Sequence, residues 1–221
     1  MKKYAIYMMM VLSLIAFNAC TEDEPLNPET PDTEVPGTPE EPEIPGTPDN
    51  PDNSDTSDET NKTGKILIAY FSWGGTTGRM AEQIASQTGG TLFCIEPVTP
   101  YPTNYTACTE VALDERDNNA RPPISGKVEN MDDYNVVFIG CPVWWHTAPM
   151  IISTFTESYD FEGKMVVPFC TYASTSRDET LAKIVELTPD AEHLTGLGCT
   201  SSGLNNTATV TGWLKEIGIV E

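Results

Sequence analysis

From residue 65 onward the chain alternates between short unbroken apolar runs and longer stretches in which apolar residues return every three or four positions. Residues 65–71 (KILIAYF), 91–97 (TLFCIEP), 134–142 (YNVVFIGCP), 164–171 (KMVVPFCT) and 191–200 (AEHLTGLGCT) are of strand length. Their near-continuous hydrophobicity is that of strands covered on both faces. Residues 78–90, 104–120, 148–158, 177–189 and 206–219 carry helical spacing, with Gly89 and Gly90 closing the first, Pro149 near the start of the third and Pro189 closing the fourth. Five strand–helix repeats in this order predict an α/β fold, a five-stranded parallel sheet sandwiched between two helical layers. Ligand sites in such sheets lie beyond the strand C-termini, where strand order reverses. The unusual loops all fall at such ends: 72–78, 142–147 and 171–176.

The pattern before residue 64 is of another kind. Residues 1–19 read as a signal peptide: Lys2 and Lys3, then an apolar core too short to span a bilayer. The stretch FNAC (17–20) resembles a bacterial lipoprotein lipobox, with Phe17 where Leu is usual, and Cys20 is the residue expected to be lipidated. An ordinary cleaved signal with an incidental Cys20 is the other reading. Residues 20–63 predict an acidic Pro-rich disordered tether. Between 21 and 63 there are 14 Asp and Glu, one Lys (Lys62) and 9 of the chain's 18 prolines. Such a segment buries too little apolar surface to offset its ordering entropy. EVPGTPE (34–40) recurs as EIPGTPD (43–49). Extended as polyproline II, the tether reaches roughly 130 Å at about 3.1 Å per residue. The residues TEDE after Cys20 resemble the export signal of surface lipoproteins in Bacteroidetes-like bacteria, which places the expected localisation at the cell envelope, lipid-anchored in the outer membrane and facing outward.

Residues 64–221 form the expected folded domain. They hold 19 acids against 9 Lys and Arg, a net charge of -10 out of -21 for the whole chain. An acidic surface is a poor match for nucleic acid or anionic lipid, so neither is an expected partner and the membrane is met only through the lipid anchor. Five cysteines follow Cys20, with no CxxC and only His146 and His193 alongside them. A zinc site is not expected, and most of the thiols are expected to be small buried hydrophobes.

The loop SWGGTTG (72–78) places bare backbone at Gly74 and Gly75 and hydroxyls at Ser72, Thr76 and Thr77, directly before a helix. Helix N-termini attract anions. The loop is neither a P-loop nor GxGxxG; it fits a phosphate cradle or a Gly-rich turn with hydroxyl caps, and Trp73 lies within it. The loop GCPVWWHTAP (140–149) sets Trp144 and Trp145 just past a strand end, with Pro142, Val143 and His146 around them. Large aromatics beside solvent suit a planar ligand, while one of the pair is expected to pack on the neighbouring helix. Thr171, Tyr172, Ala173 and Ser174 in the third loop offer amides and hydroxyls to the far edge of that ligand.

A phosphate at the first loop and a flat ring between the others describe flavin mononucleotide (FMN). On SWGGTT, NNARPPI, YNVVFIGCPVWWHTAP and VVPFCTYAS, the chain resembles the flavodoxin-like family over about residues 64–205. The resemblance implies strand order 2-1-3-4-5, FMN as cofactor, and a role as electron-transfer protein or FMN-dependent oxidoreductase. It implies a redox partner protein or a small-molecule electron acceptor. The family's phosphate pattern, Ser/Thr-x-Thr-Gly-x-Thr, is kept at Ser72, Gly75 and Thr77 and broken at Gly74; the usual Gly-rich third loop is replaced by Ala173-Ser174-Thr175. These departures predict weakened FMN affinity. Trp144 or Trp145 is expected to stack on the ring, with no protein residue as catalyst, and an acidic surround predicts a low potential. A reductase for NAD(P)H or quinones needs a pocket over the ring, for which Tyr101, Tyr105 and His146 are candidates. The alternatives are a surface binding module with a degenerate flavin site, and a thiol-based redox protein using Cys141 and Cys170.

Overall fold

The computed structural model describes residues 64–221. The expected signal peptide, the lipidated Cys20 and the tether lie outside the described residues. The elements follow one another as β1 (Lys65–Tyr70), α1 (Thr76–Thr88), β2 (Thr91–Cys94), β3 (Glu96–Pro97), α2 (Tyr105–Asp117), β4 (Ile124–Ser125), β5 (Tyr134–Pro142), α3 (Met150–Glu157), β6 (Met165–Thr171), α4 (Arg177–Glu186), β7 (Glu192–His193), β8 (Leu197–Cys199) and α5 (Ala208–Glu216). The parallel sheet runs β2-β1-β5-β6, and its last lane is shared by β7 and β8. This is the expected 2-1-3-4-5 order.

The run of buried residues Ile66 to Ala69 in β1 follows from covering the sheet on both faces. Ile66 and Ile68 point to the layer of α1 and α5, among Met80, Ile84, Val210 and Leu214. Leu67 and Ala69 point to the layer of α2, α3 and α4, among Cys108, Ile151, Phe155 and Ile184. Phe138, Phe155 and Phe169 are fully buried, each stabilising the fold by about 1.5–3 kcal/mol through burial.

Three boundaries differ from the sequence reading. The run 91–97 is two strands. β2 ends at Cys94, and Pro97, which has no N–H to continue a ladder, instead lies with Glu96 in an antiparallel pair with Ser125 and Ile124. The fifth strand is also divided, and Pro168 is the cause. The carbonyls of Lys164, just before β6, and of Val166 within it accept from the amides of Glu192 and Leu194. Alternate residues of β6 therefore face this edge lane, and Pro168, next in that series, has no N–H to give it. Gly196 passes so close that a Cβ would lie 2.6 Å from the Pro168 carbonyl oxygen. Finally, α1 begins at Thr76, two residues before the expected start. Gly75 turns the chain with φ of 80° and no side-chain cap, while Ser72 Oγ accepts from the Gly78 amide at 3.1 Å from upstream.

Candidate functional site

β1, β5 and β6 are adjacent in the sheet, so the loops that follow them leave from one rim. Hydrogen bonds lace these loops together. Thr77, at the start of α1, is 1% exposed, and its hydroxyl lies 2.8 Å from that of Thr171 at the end of β6. The Val143 amide donates to the Thr171 carbonyl at 2.9 Å. His146 Nδ1 lies 2.8 Å from Ser176 Oγ, joining the second loop to the third. Tyr172 donates its amide to Cys199 in β8.

In the first loop, a Cβ at Gly74 or Gly75 would have no heavy atom within 4 Å. Among the described residues, the amides of 73–77 have no protein acceptor. Open backbone, five amides without a protein acceptor at a helix start, and nearby hydroxyls match a phosphate monoester in donor chemistry. No carboxylate lies within 72–78. Arg79 turns to Ser201, with its guanidinium 3.1 Å from the Ser201 hydroxyl.

The second loop is a tight hairpin. Trp144 and Thr147 exchange both N–H···O bonds at 3.0 Å, and the central residues Trp145 and His146 have φ of 47° and 66°. Two positive φ values in a two-residue hairpin define a type I′ turn, normally made by Asn and Gly. For Trp and His this conformation costs on the order of 1–2 kcal/mol per residue. Side-chain anchors hold it in place: Trp145 Nε1 donates to the Thr109 carbonyl of α2 at 2.8 Å, the Arg116 guanidinium sits 5.5 Å from the Trp145 ring centroid, and His146 is tied to Ser176. Strain of this kind collects at functional sites. The two tryptophans divide, but it is the exposed Trp145 that reaches a helix, α2, while Trp144 turns inward onto other aromatic residues. It meets Phe71 and Tyr101 edge-on at 5.2 and 5.0 Å. Trp145 remains 39% exposed.

A cavity of about 480 Å³ opens between these parts. Val143 to His146 form one side and Ala173 to Thr175 another, and α2 closes it with Tyr105, Cys108, Thr109 and Ala112, with Trp73 at the rim. Cys108, Thr109 and Ala112 went unnoticed in the sequence. Helical spacing from Tyr105 to Ala112 was their only available signal, and it does not say which helix overhangs which loop. Of the pocket candidates, Tyr105 and His146 line this cavity. Tyr101 does not: it is buried beneath Trp144 and donates its hydroxyl to Glu115 at 2.9 Å. Ala173, Ser174 and Thr175 have no positive φ; the left-handed residue of that loop is Ser176, with φ of 63°. The missing glycines therefore leave no backbone strain at 173–175.

Cys141 and Cys170 are register partners on β5 and β6, and both are free and buried thiols. Burial raises Cys141 well above the ordinary thiol range. It pushes Cys170 up to about 12, opposed by the Arg177 charge. Reactive thiols need the opposite shift, so the pair does not suit thiol redox chemistry.

A family model described as flavodoxin matches residues 65–217. The chain belongs to the flavodoxin family. Among solved structures it is similar to a protein of Bacteroides eggerthii DSM 20697, provisionally named a flavoprotein, with 37% identity, a TM-score of 0.60, and coverage of 70% of this chain and 98% of that one. A protein of Bacteroides uniformis ATCC 8492 with the same provisional name has 34% identity, a TM-score of 0.61, and coverage of 70% and 99%. A flavoprotein of Lactobacillus acidophilus NCFM, solved in complex with FMN, shares the fold at 24% identity and a TM-score of 0.56, over 68% of this chain and 98% of that one. No curated protein matches the chain.

Proposed function

We propose that the protein binds FMN at this rim and works as an electron-transfer flavoprotein of the bacterial envelope, anchored through Cys20. The observation that carries the reading is the lacing of three loops into one site: Thr77 to Thr171, Val143 to Thr171, and His146 to Ser176. The complex of the L. acidophilus flavoprotein with FMN supports the same ligand, as does membership of the flavodoxin family.

Ser72 and Thr76, with the amides of residues 73–77, hold the phosphate, while the buried Thr77 hydroxyl ties this loop to Thr171. Neutral donors suffice there because oriented amides and the helix end supply the positive potential. Residues Pro142 to His146 and Thr171 to Ser174 flank the ring, with Trp145 as its exposed aromatic neighbour. Trp144 acts through packing, fixing the hairpin against Phe71 and Tyr101. When bound, FMN supplies reversible one- and two-electron chemistry, and the protein sets access to it. The lipidated Cys20 and the acidic tether keep the domain near the outer membrane, where a redox protein or a small-molecule acceptor exchanges electrons with it.

Purification tests the reading. The protein is expected to be yellow with flavin absorbance, and Trp145→Ala is expected to lose flavin while remaining folded by circular dichroism. A colourless protein that ignores added FMN identifies a surface binding module with a degenerate site instead. For the anchor, Cys20→Ala is expected to move the protein from the membrane fraction to the soluble one; unchanged fractionation would refute lipidation.

A further inference from the structure

A second cavity, of about 320 Å³, opens beside the later half of α2, and it shares no lining residue with the flavin site. Its walls come from two proline-rich runs, VTPYP (98–102) and RPP (121–123), which the antiparallel pairing of β3 with β4 brings together. Val98 fastens them further by donating its amide to the Pro123 carbonyl at 2.8 Å. Five prolines from 97–102 and 122–123 line the space, with Val111 and Glu115 one turn apart on α2. Proline rings have no rotamers to lose and no N–H to offer. The walls are therefore rigid hydrocarbon, formed before any guest arrives.

One charge interrupts that hydrocarbon. Glu115 is half-buried. The Tyr101 hydroxyl donates to its Oε2 at 2.9 Å, and Oε1 has no partner among the described residues. The cations closest to it in sequence are committed elsewhere: Arg116 to Asp117 at 2.7 Å, and Arg121 to Glu157 at 2.6 Å. No Lys or Arg lines the cavity. A carboxylate drawn from water and left without a counter-charge is costly, and burial accordingly raises the Glu115 carboxyl above its ordinary range. A positively charged guest relieves that cost. An anion is repelled, and a neutral guest covers the carboxylate without pairing it. The volume is on the scale of small-molecule sites.

We propose that this cavity is a binding site for a small aliphatic ammonium ion. Its hydrocarbon chain lies against the prolines and Val111, and its N–H groups donate to the free oxygen of Glu115. Tyr101 holds the carboxylate in place through the other oxygen. The site draws on no flavin contact and stands independently of the flavin reading.

Calorimetric titration of the full chain with n-pentylammonium chloride at neutral pH tests the proposal. Saturable binding is expected, with 1-pentanol and ammonium chloride each at least ~10-fold weaker, because one lacks the charge and the other the apolar body. Glu115→Gln keeps an acceptor for Tyr101 and removes the charge. It is expected to weaken pentylammonium by roughly 10-fold or more, the loss of a charge-assisted hydrogen bond, and to leave 1-pentanol unaffected. Val111→Lys, at an exposed position four residues before Glu115, supplies an internal ammonium and is expected to abolish binding with the fold intact by circular dichroism. Failure of pentylammonium to saturate would overturn the proposal, as would equal binding by Glu115→Gln or by Val111→Lys. If N-acetyl-lysine amide binds where pentylammonium does not, the cavity serves a lysine of a partner protein and the small-molecule site is refuted.

Discussion

Replacing Gly74 by Thr separates a phosphate cradle from a decorative turn. Gly74 is the position at which the chain departs from the hydroxyl pattern of its family. Its φ is not in the left-handed region, and an added Cβ would meet nothing within 4 Å. The substitution therefore adds a hydroxyl without displacing protein atoms. A hydrogen bond to a charged acceptor contributes about 1.5–3 kcal/mol. Ordering one short side chain costs on the order of 0.5 kcal/mol. The net, about 1–2.5 kcal/mol, is roughly a 5- to 60-fold tighter Kd. Quenching of FMN fluorescence on titration with apoprotein, at fixed ionic strength, reads it. Gly75→Thr is the counterpart. Its site is equally open, but φ is +80°, so a β-branched residue is strained by about 1–2 kcal/mol, and Tm is expected to fall by roughly 2–8 °C. If Gly74→Thr leaves FMN affinity unchanged or weaker, no phosphate lies against that loop. If Gly75→Thr is as stable as the wild type, the left-handed turn at that position is wrong.

Further outcomes follow from the same geometry. Thr77→Val leaves the buried Thr171 hydroxyl without its 2.8 Å partner; a loss of about 1–3 kcal/mol is expected in urea denaturation, partly recovered by adding Thr171→Val, and full additivity of the two would refute a direct bond. At Gly140, Ala would bring a Cβ within 2.0 Å of the Phe169 ring, so the variant is expected to be poorly soluble unless Phe169 is also reduced to Leu; a stable single variant would contradict the packing of β5 on β6. Burial raises the Glu115 carboxyl, partly offset by the Tyr101 hydroxyl. The folded state then holds this proton more tightly than the unfolded chain. Compared with Glu115→Gln, the wild type should lose stability as pH rises from the ordinary glutamate range through the raised value, a trend that parallel unfolding curves would expose or deny. In thiol titration with Ellman's reagent, exposed Cys94 should react first, and Cys141 and Cys170 only on unfolding.

The layers, the helix count and the rim were legible because each rests on periodicity. The continuous apolar runs at 66–69 and 136–141 announce strands covered twice, and the loops with unusual chemistry follow such strands. The rest depends on contacts between segments distant in sequence. Nothing in 191–200 says that Pro168, more than twenty residues earlier, interrupts its pairing. The hydroxyl that caps the start of α1 comes from Ser72 upstream, so the cap was not beside the first helical residue. The two tryptophans look alike in sequence. Only the type I′ turn, with Trp145 and His146 at positive φ, sends Trp144 inward and Trp145 out to α2. The α2 wall of the cavity was partly visible through Tyr105. Cys108, Thr109 and Ala112 are ordinary helix residues until the helix is placed over the hairpin.

The account stands on a phosphate held by the first loop and a ring held by the other two. Titration of the apoprotein with FMN and with riboflavin, which has the same ring and no phosphate, measures that division directly. Two or more charge-assisted hydrogen bonds to the phosphate, at about 1.5–3 kcal/mol each, predict that FMN binds at least ~100-fold more tightly than riboflavin, and that Gly74→Thr widens the gap. Equal affinities for the two, or no binding of either, would contradict it.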